Sequence, residues 1–468
     1  MGYHPGIEDD GVYLAAVKSD LNPALYPHDA DFFKVQLQAT FFDKWIADFI
    51  HLTHIPVAFT ELLFQSASIV LIIFGCWSIA RRLFAEERAQ WAGVAMVVAM
   101  FTLPVAGTAL YLVDQHLHPR NLATALILIA ISRLLAGKRW HALPLLLLSI
   151  VLHPIMGAMG MSFCFFLTLA LMDPVPVRLR AVGSTAAGFM PLGWIFDPPT
   201  ALWREALETR TYYYLYRWTW YEWLGVLAPL VLFFVLWRVA EKRGQTRLAR
   251  FALAVFAYAV FQQTVAMIML GPEAFIRLLP FQPMRYLHLV YFFLCLISGS
   301  LLGKYLLKTK VWRWAIFLLI ANGGMFYAQR ELFASSQHLE LPSREPSNRW
   351  LQAFAWIRHN TPENAYFALD PRYMAAPDED YHSFRALAER SVMADAIKDT
   401  AVVTQVPSLA PVWKEQEVAT ADWEHFQIAD FERLKATYGV NWVLVTYPPP
   451  NGLACRWHNG SISVCQIP

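Results

Sequence analysis

Three consecutive carboxylates, Glu8-Asp9-Asp10, open the first polar stretch of this chain. A carboxylate held near an apolar surface can take a proton from a hydroxyl as a general base. It can also help hold a hard divalent cation that neutralises a phosphate or diphosphate leaving group. The same stretch carries Asp20, Asp29, Asp31, Asp43 and Asp48 against Lys18, Lys34 and Lys44, so an acidic loop that is merely solvated is the competing reading.

Other candidates are more scattered. His116 and His118 stand two apart, a spacing that chelates metal on an extended segment, yet no third ligand is in view and zinc is not expected. The run from Tyr212 to Trp223, with Arg217 inside it, is the densest aromatic stretch; its rings can stack on sugars or form an interfacial belt ahead of a span. Asp378-Glu379-Asp380 reads as a solvated loop, and Arg385, Glu389, Arg390, Asp395, Lys398 and Asp399 read as exposed helix charges. P-loop, dinucleotide-fold glycine, Gly-x-Ser-x-Gly and HExxH patterns are absent.

The elements that must position these groups are largely apolar. Of 468 residues 57% are hydrophobic and 16% charged, a balance that polar surface alone could not cover, so lipid is the expected solvent. The formal charge is +2 with no basic stripe, which argues against a nucleic-acid partner. Apolar runs at 57–80, 91–112, 122–136, 142–152, 155–172, 181–196, 223–240, 248–270, 286–303 and 312–328 predict about ten spans. His153-Pro154 divides the 143–172 run into two helices, because proline removes a backbone donor.

Orientation follows from the short basic loops: Arg81, Arg82 and Arg88; Lys138 and Arg139; Arg178 and Arg180; Arg238, Lys242, Arg243 and Arg247; Lys304, Lys308 and Lys310. These are expected to be cytoplasmic, leaving residues 1–56, 113–121, the His153-Pro154 break, 197–222, 271–285 and everything after about 329 outside. Three parts are expected: an acidic outer loop with amphipathic helices (1–56), a transmembrane bundle (57–329) and a small outer α/β domain (330–468). In that domain the pattern predicts a helix capped by Ser347, a strand at 366–369, a helix at 431–438 ending on Gly439, a strand at 441–446 and a closing hairpin. A two-residue turn at Asn459-Gly460 would set Cys455 against Val464, so no disulfide with Cys465 is expected.

Asp9-Asp10-Gly11-Val12-Tyr13 resembles the Asp-Glu-x-x-Tyr pattern that begins the first extracytoplasmic loop in the GT-C superfamily of polyprenyl-phosphate-sugar glycosyltransferases. The layout of spans followed by an outer domain is similar too. The segments His116–Arg120, Gln282-Pro283-Met284-Arg285, Asp370-Pro371-Arg372-Tyr373 and 384–392 look like those of a bacterial polytopic family itself similar to GT-C proteins. The resemblance implies a mainly α fold in the bacterial inner membrane, a sugar donor on a polyprenyl phosphate, Asp9 as catalytic carboxylate and Asp10 as the second acid. Asp10 stands where Glu is usual, and the span that precedes the acidic loop in that superfamily is expected to be missing here.

A transferase of this kind must stabilise charge growing on a lipid phosphate. His116, His118, Arg120, Arg277 and Arg285 are the candidate phosphate contacts, with Glu8, His153 and Arg217 as further polar candidates. For Arg120 and Arg285 an ordinary interfacial role stays open, and Mg2+ or Mn2+ is the cofactor left open. Two other functions compete: a lipid or solute translocator using Glu61, Asp114 or Arg133, and a non-catalytic scaffold of the same architecture.

Overall fold

The computed structural model describes residues 1–38, 40–172 and 196–468. Three helices, α1 (Asp10–Leu21), α2 (Asp31–Leu37) and α3 (Phe42–Thr53), precede the long apolar ones. There follow α4 (Val57–Leu83), α5 (Glu87–Ala99), α6 (Pro119–Leu135), α7 (Arg139–Leu152), α8 (Pro154–Leu171), α9 (Ala201–Glu208), α10 (Trp220–Lys242), α11 (Thr246–Leu270), α12 (Leu287–Leu302) and α13 (Val311–Leu332).

Among the described residues six helices are long and apolar enough to cross a membrane: α4, α8, α10, α11, α13, and α12 with its flanking turns, Pro283–Leu307. Helix α7 is apolar but shorter. The run at 181–196, apart from Phe196, and the basic pair Arg178 and Arg180 lie outside the described residues. The 91–112 run is not one continuous helix. Helix α5 stops at Ala99, and Pro104, which cannot donate to a helix ladder, enters a tight reversal in which Val105 N donates to Leu110 O at 2.8 Å. That reversal folds residues 100–118 back into the protein interior.

The break at His153-Pro154 is present, with His153 ending α7 and capping α8. Helix α12 is the buried axis of the bundle and packs against α5 through Gly93, Gly299 and Gly303. A Cβ on Gly299 would stand 2.5 Å from the Ala92 carbonyl oxygen, so small residues set the closeness of these two helices.

The C-terminal unit contains α14 (Arg349–Asn360), β1 (Tyr366–Ala368), α15 (Phe384–Ala388), β2 (Ser391–Val392), α16 (Lys398–Gln405), α17 (Ala410–Ala419), α18 (Ile428–Tyr438), β3 (Trp442–Thr446), β4 (Ala454–His458) and β5 (Ile462–Gln466). The sheet order is β2-β1-β3-β5-β4, parallel across β2-β1-β3 and antiparallel from there. Asn348, not Ser347, caps α14: its side-chain oxygen accepts from Trp350 N at 2.8 Å. Gly439 ends α18 in the left-handed conformation, as the pattern predicts.

Two expectations are overturned here. Cys455 and Cys465 form a disulfide. The turn residues are Gly460 and Ser461, because Asn459 pairs with Ile462 and its side chain is tied to Arg349 O and Gln352; a bulge at Arg456 then returns Cys455 to face Cys465. The charges of 385–399 are also not exposed: Arg385, Arg390, Asp395, Lys398 and Asp399 are all buried. Arg385 donates from Nε to Asp29 at 2.6 Å and from both Nη atoms to Asp399 at 2.9 and 3.1 Å. Glu379, expected in a solvated loop, is fully buried and accepts the His382 amide.

The reason is docking. Residues 3–8 run along the C-terminal unit, with Tyr3 bridging Leu339, Ile7 bridging His382, and Ser383 N donating to Gly6 O at 2.8 Å. Gly6 has φ +79°, and a Cβ there would meet Leu387 at 2.7 Å, so only glycine fits without strain. Apolar side chains of α1, α2, α9, α16 and α17 share one core that includes Phe33, Trp203, Val403 and Trp413. Residues 1–37 and 384–413 therefore pack as one unit despite their separation in the chain.

Candidate functional site

A cavity of about 630 Å³ lies between the membrane-helix ends and the C-terminal unit. Its wall includes Glu8, Asp9, Tyr111, Asp114, His116, His118, Arg120, His153, Arg210, Tyr212, Tyr213, Gln282, Arg285, Tyr381 and Lys398. Seven of the ten catalytic, phosphate-contact and further polar candidates thus converge: Glu8, Asp9, His116, His118, Arg120, His153 and Arg285.

Asp9 is the residue before α1, its carboxylate part-open to the cavity. Lys398 Nζ donates to Oδ1 at 2.9 Å and to Glu8 at 3.3 Å, while His118 Nε2 stands 3.5 Å from Oδ2. Burial would push the Asp9 carboxyl up, but the Lys398 ammonium and His118 outweigh it and hold it well below the usual carboxylate range. Asp9 is therefore ionised and oriented from both ends.

His118 owes its position to sequence. In His118-Pro119 the ring Nδ1 accepts the Arg120 amide at 2.9 Å and caps α6, with proline at the first helical position. His153-Pro154 repeats the device on α8, where Nδ1 accepts the Met156 amide at 3.3 Å. Because Nδ1 of His118 is an acceptor, its proton sits on Nε2, facing Asp9. Burial, reinforced by Arg120, pushes His118 down to about 4, so the ring is a neutral donor at neutral pH. The two imidazoles lie 5.9 Å apart.

The guanidinium groups differ in how they are satisfied. Arg120 donates from Nε at 3.0 Å and Nη2 at 2.5 Å to Asp114, but its buried Nη1 has no partner among the described residues. Asp114 is held in turn by Asn121, which donates to its carbonyl, and by Gln65, which donates to the same oxygen at 2.7 Å. Arg285, on the turn Pro283–Tyr286 that leads into α12, has a buried Nε without a partner among the described residues, and Arg210, two residues after α9, has Nε and Nη2 in the same condition. Both ring nitrogens of His116 are likewise buried and have no partner among the described residues. Each such donor costs about 1–3 kcal/mol if nothing fills it, so the wall is built for an anionic or oxygen-rich guest.

The carboxylates at and near the cavity are taken up by other groups. Asp9 is engaged by Lys398 and His118 and Asp114 is clamped by Arg120. Asp10 turns away from the cavity and accepts the Gly6 amide at 2.6 Å. Among the described residues no group of three or more His, Cys, Asp or Glu is placed to hold a metal ion.

Other sequence candidates lie elsewhere. Arg277 donates to the Asp197 and Pro198 carbonyls and stacks over Trp203. Arg217 lies over Tyr214 and Tyr216. The aromatic run divides: Tyr212 and Tyr213 line the cavity, whereas Tyr216, Trp220 and Tyr221 are exposed as an interfacial belt would be. Lys398 and Arg210, both central to the wall, carry no sequence motif; only the buried partner of Asp9 reveals the first.

No family model matches the chain, and no curated protein matches it. The site's chemistry therefore rests on its own geometry: one ionised carboxylate, the neutral His118 imidazole beside it, and unfilled guanidinium donors across a cavity of about 630 Å³.

Proposed function

We propose that this protein is a glycosyltransferase of GT-C-like architecture that moves a sugar from a polyprenyl-phosphate carrier to an acceptor hydroxyl at the outer face of the bacterial inner membrane. The observation that carries this reading is the meeting of the Asp9 carboxylate with unpartnered N–H groups of Arg120 and Arg285 in one cavity. In the reaction the acceptor oxygen attacks the anomeric carbon as the bond from that carbon to the phosphate oxygen breaks. The bonding pair leaves with the phosphate, and the acceptor proton passes to Asp9. Arg285 and Nη1 of Arg120 then neutralise charge where it grows, and the held orientation of Asp9 reduces the cost of alignment.

The placement has support of its own. The cavity meets the N-terminal end of α6, while Arg133 and Lys138 lie at or just beyond the opposite end, roughly 25 Å away by helical rise. That separation suits a basic cytoplasmic face and an outer cavity. The Cys455–Cys465 disulfide suits an oxidising compartment. The full complement of about ten spans belongs to this proposal.

The test uses a deletion strain complemented with wild-type or Asp9→Asn protein, its surface glycans compared by mass spectrometry. Asp9→Asn is expected to abolish the transferred sugar with membrane expression unchanged. Full restoration of the glycan by Asp9→Asn would sink the assignment.

A further inference from the structure

The two ends of the Asp9 carboxylate face different walls. Oδ2 is approached by His118, whose backbone neighbourhood includes Arg120, with Arg285 on the same membrane-helix side. Oδ1 is held by Lys398 at the start of α16. Arg210 belongs to this second wall. Helix α9, which ends two residues before it, packs on α16 and α17: Trp203 Nε1 donates to Thr404 O at 3.2 Å and Lys414 pairs with Glu205 at 2.6 Å. Arg210 lies close enough to the Lys398 ammonium for the two charges to repel. With Lys398 already committed to Asp9 and Glu8, the Nε and Nη2 donors of Arg210, both buried and without partner among the described residues, are the open cationic positions on this side.

A base that activates the incoming hydroxyl works on the face opposite the leaving group when configuration inverts. If Arg120 and Arg285 serve the departing phosphate, the wall bearing Arg210 is where the acceptor must sit. Gln405, the last residue of α16, also lines the cavity and offers a polar contact of the kind that hydroxyl-rich molecules use. A guanidinium presenting two buried N–H groups is suited to a planar carboxylate or a phosphate ester.

We propose that Arg210 forms a second anion-binding position, separate from the lipid-phosphate contacts, which selects an acceptor bearing an acidic group. The proposal rests on the glycosyl-transfer reading for the word acceptor, though not for the existence of the position.

The experiment measures binding by titration calorimetry to the full chain in lipid nanodiscs. The probes are glucuronate, glucose 6-phosphate, neutral glucose and undecaprenyl phosphate. Wild-type protein is expected to bind one or both acidic sugars about tenfold or more tightly than glucose, the worth of one charge-assisted contact; the arm that wins identifies carboxylate or phosphate. Arg210→Gln should remove that preference, Arg210→Lys should keep much of it, and Arg210→Gln should leave undecaprenyl phosphate affinity within about twofold while Arg285→Gln weakens it about tenfold. Retention by Arg210→Lys separates lost charge from lost fold. Absence of any acidic-sugar preference in the wild type overturns the proposal, as does equal loss of undecaprenyl phosphate binding in Arg210→Gln and Arg285→Gln. If acidic sugars bind through Arg210 but undecaprenyl phosphate does not bind at all, the second anion position stands and the transfer reading falls.

Discussion

Two sets of arginines with buried N–H groups in this molecule have opposite fates. At the seam between the N-terminal helices and the C-terminal unit, Arg385 is matched on every side by Asp29 and Asp399, and Arg390 donates to Thr361, Glu389 and Arg358. In the cavity, Arg120, Arg210 and Arg285 each keep buried donors without an acceptor among the described residues. Matched guanidinium groups hold a fold, since breaking one leaves a stranded charge. Unmatched ones are tolerated only where another molecule supplies the acceptor. Lys398 lies between these cases: it is paired, but with the residue proposed to react.

The largest effect is expected where matching is complete. Arg385→Met should cost about 3–5 kcal/mol, because Asp29 and Asp399 would be left buried without their counter-charge; denaturant unfolding in detergent checks this. A loss below about 1 kcal/mol, the worth of an exposed pair, would erase the contrast. Arg285→Gln should reverse the pattern, lowering kcat by about 10²–10³-fold with little change in stability. Comparable instability in the two variants would place Arg285 with the structural set.

Lys398→Met should shift a pH profile and leave the fold in place. Lys398 holds Asp9 in its charged form, so without it the Asp9 carboxyl rises and the acid limb of activity moves to higher pH. An unmoved acid limb would show that Lys398 does not govern Asp9. The mildest effect concerns His382, fully buried and facing Glu340 at 3.1 Å, Glu379 at 3.7 Å and, through Glu340, His4. Burial opposes its charge, but Glu340 outweighs burial and pushes His382 up to about 9 from its ordinary 6.5. A raised histidine stabilises the fold fully below its ordinary value and ceases to as pH rises through the folded one. Burial likewise pushes Glu379 up to about 8, so its ionisation destabilises in the same direction. Melting temperature should therefore fall as pH rises from about 6.5 through about 9, and His382→Gln should flatten that fall.

Local signals in the sequence found what local physics controls. His153-Pro154 breaks the helix because the proline ring lacks a donor, and the same dipeptide at His118-Pro119 is a helix cap visible in retrospect. Gly439 stops α18 through its left-handed conformation. The acid beside the cavity was legible as the opening of the polar stretch, and the cations of 116–120 and 285 were legible as short polar segments between apolar runs.

What the sequence by itself determined is the apolar content that calls for lipid, the helix stops, the terminal sheet elements and the residue types of one half of the cavity. The other half depends on contacts that no local pattern encodes. Lys398 meets Asp9 across 389 positions and Arg385 meets Asp29 across 356, and only docking of the first helices on the last unit turns those ordinary helix charges into buried partners. The hairpin teaches the same on a small scale: Asn459 is drawn to α14, the turn moves by one residue, a bulge absorbs the difference, and two cysteines expected to miss each other are joined. The physical reason is that burial decides what a charge or a turn residue is worth, and burial is a property of packed segments rather than of the chain read in order.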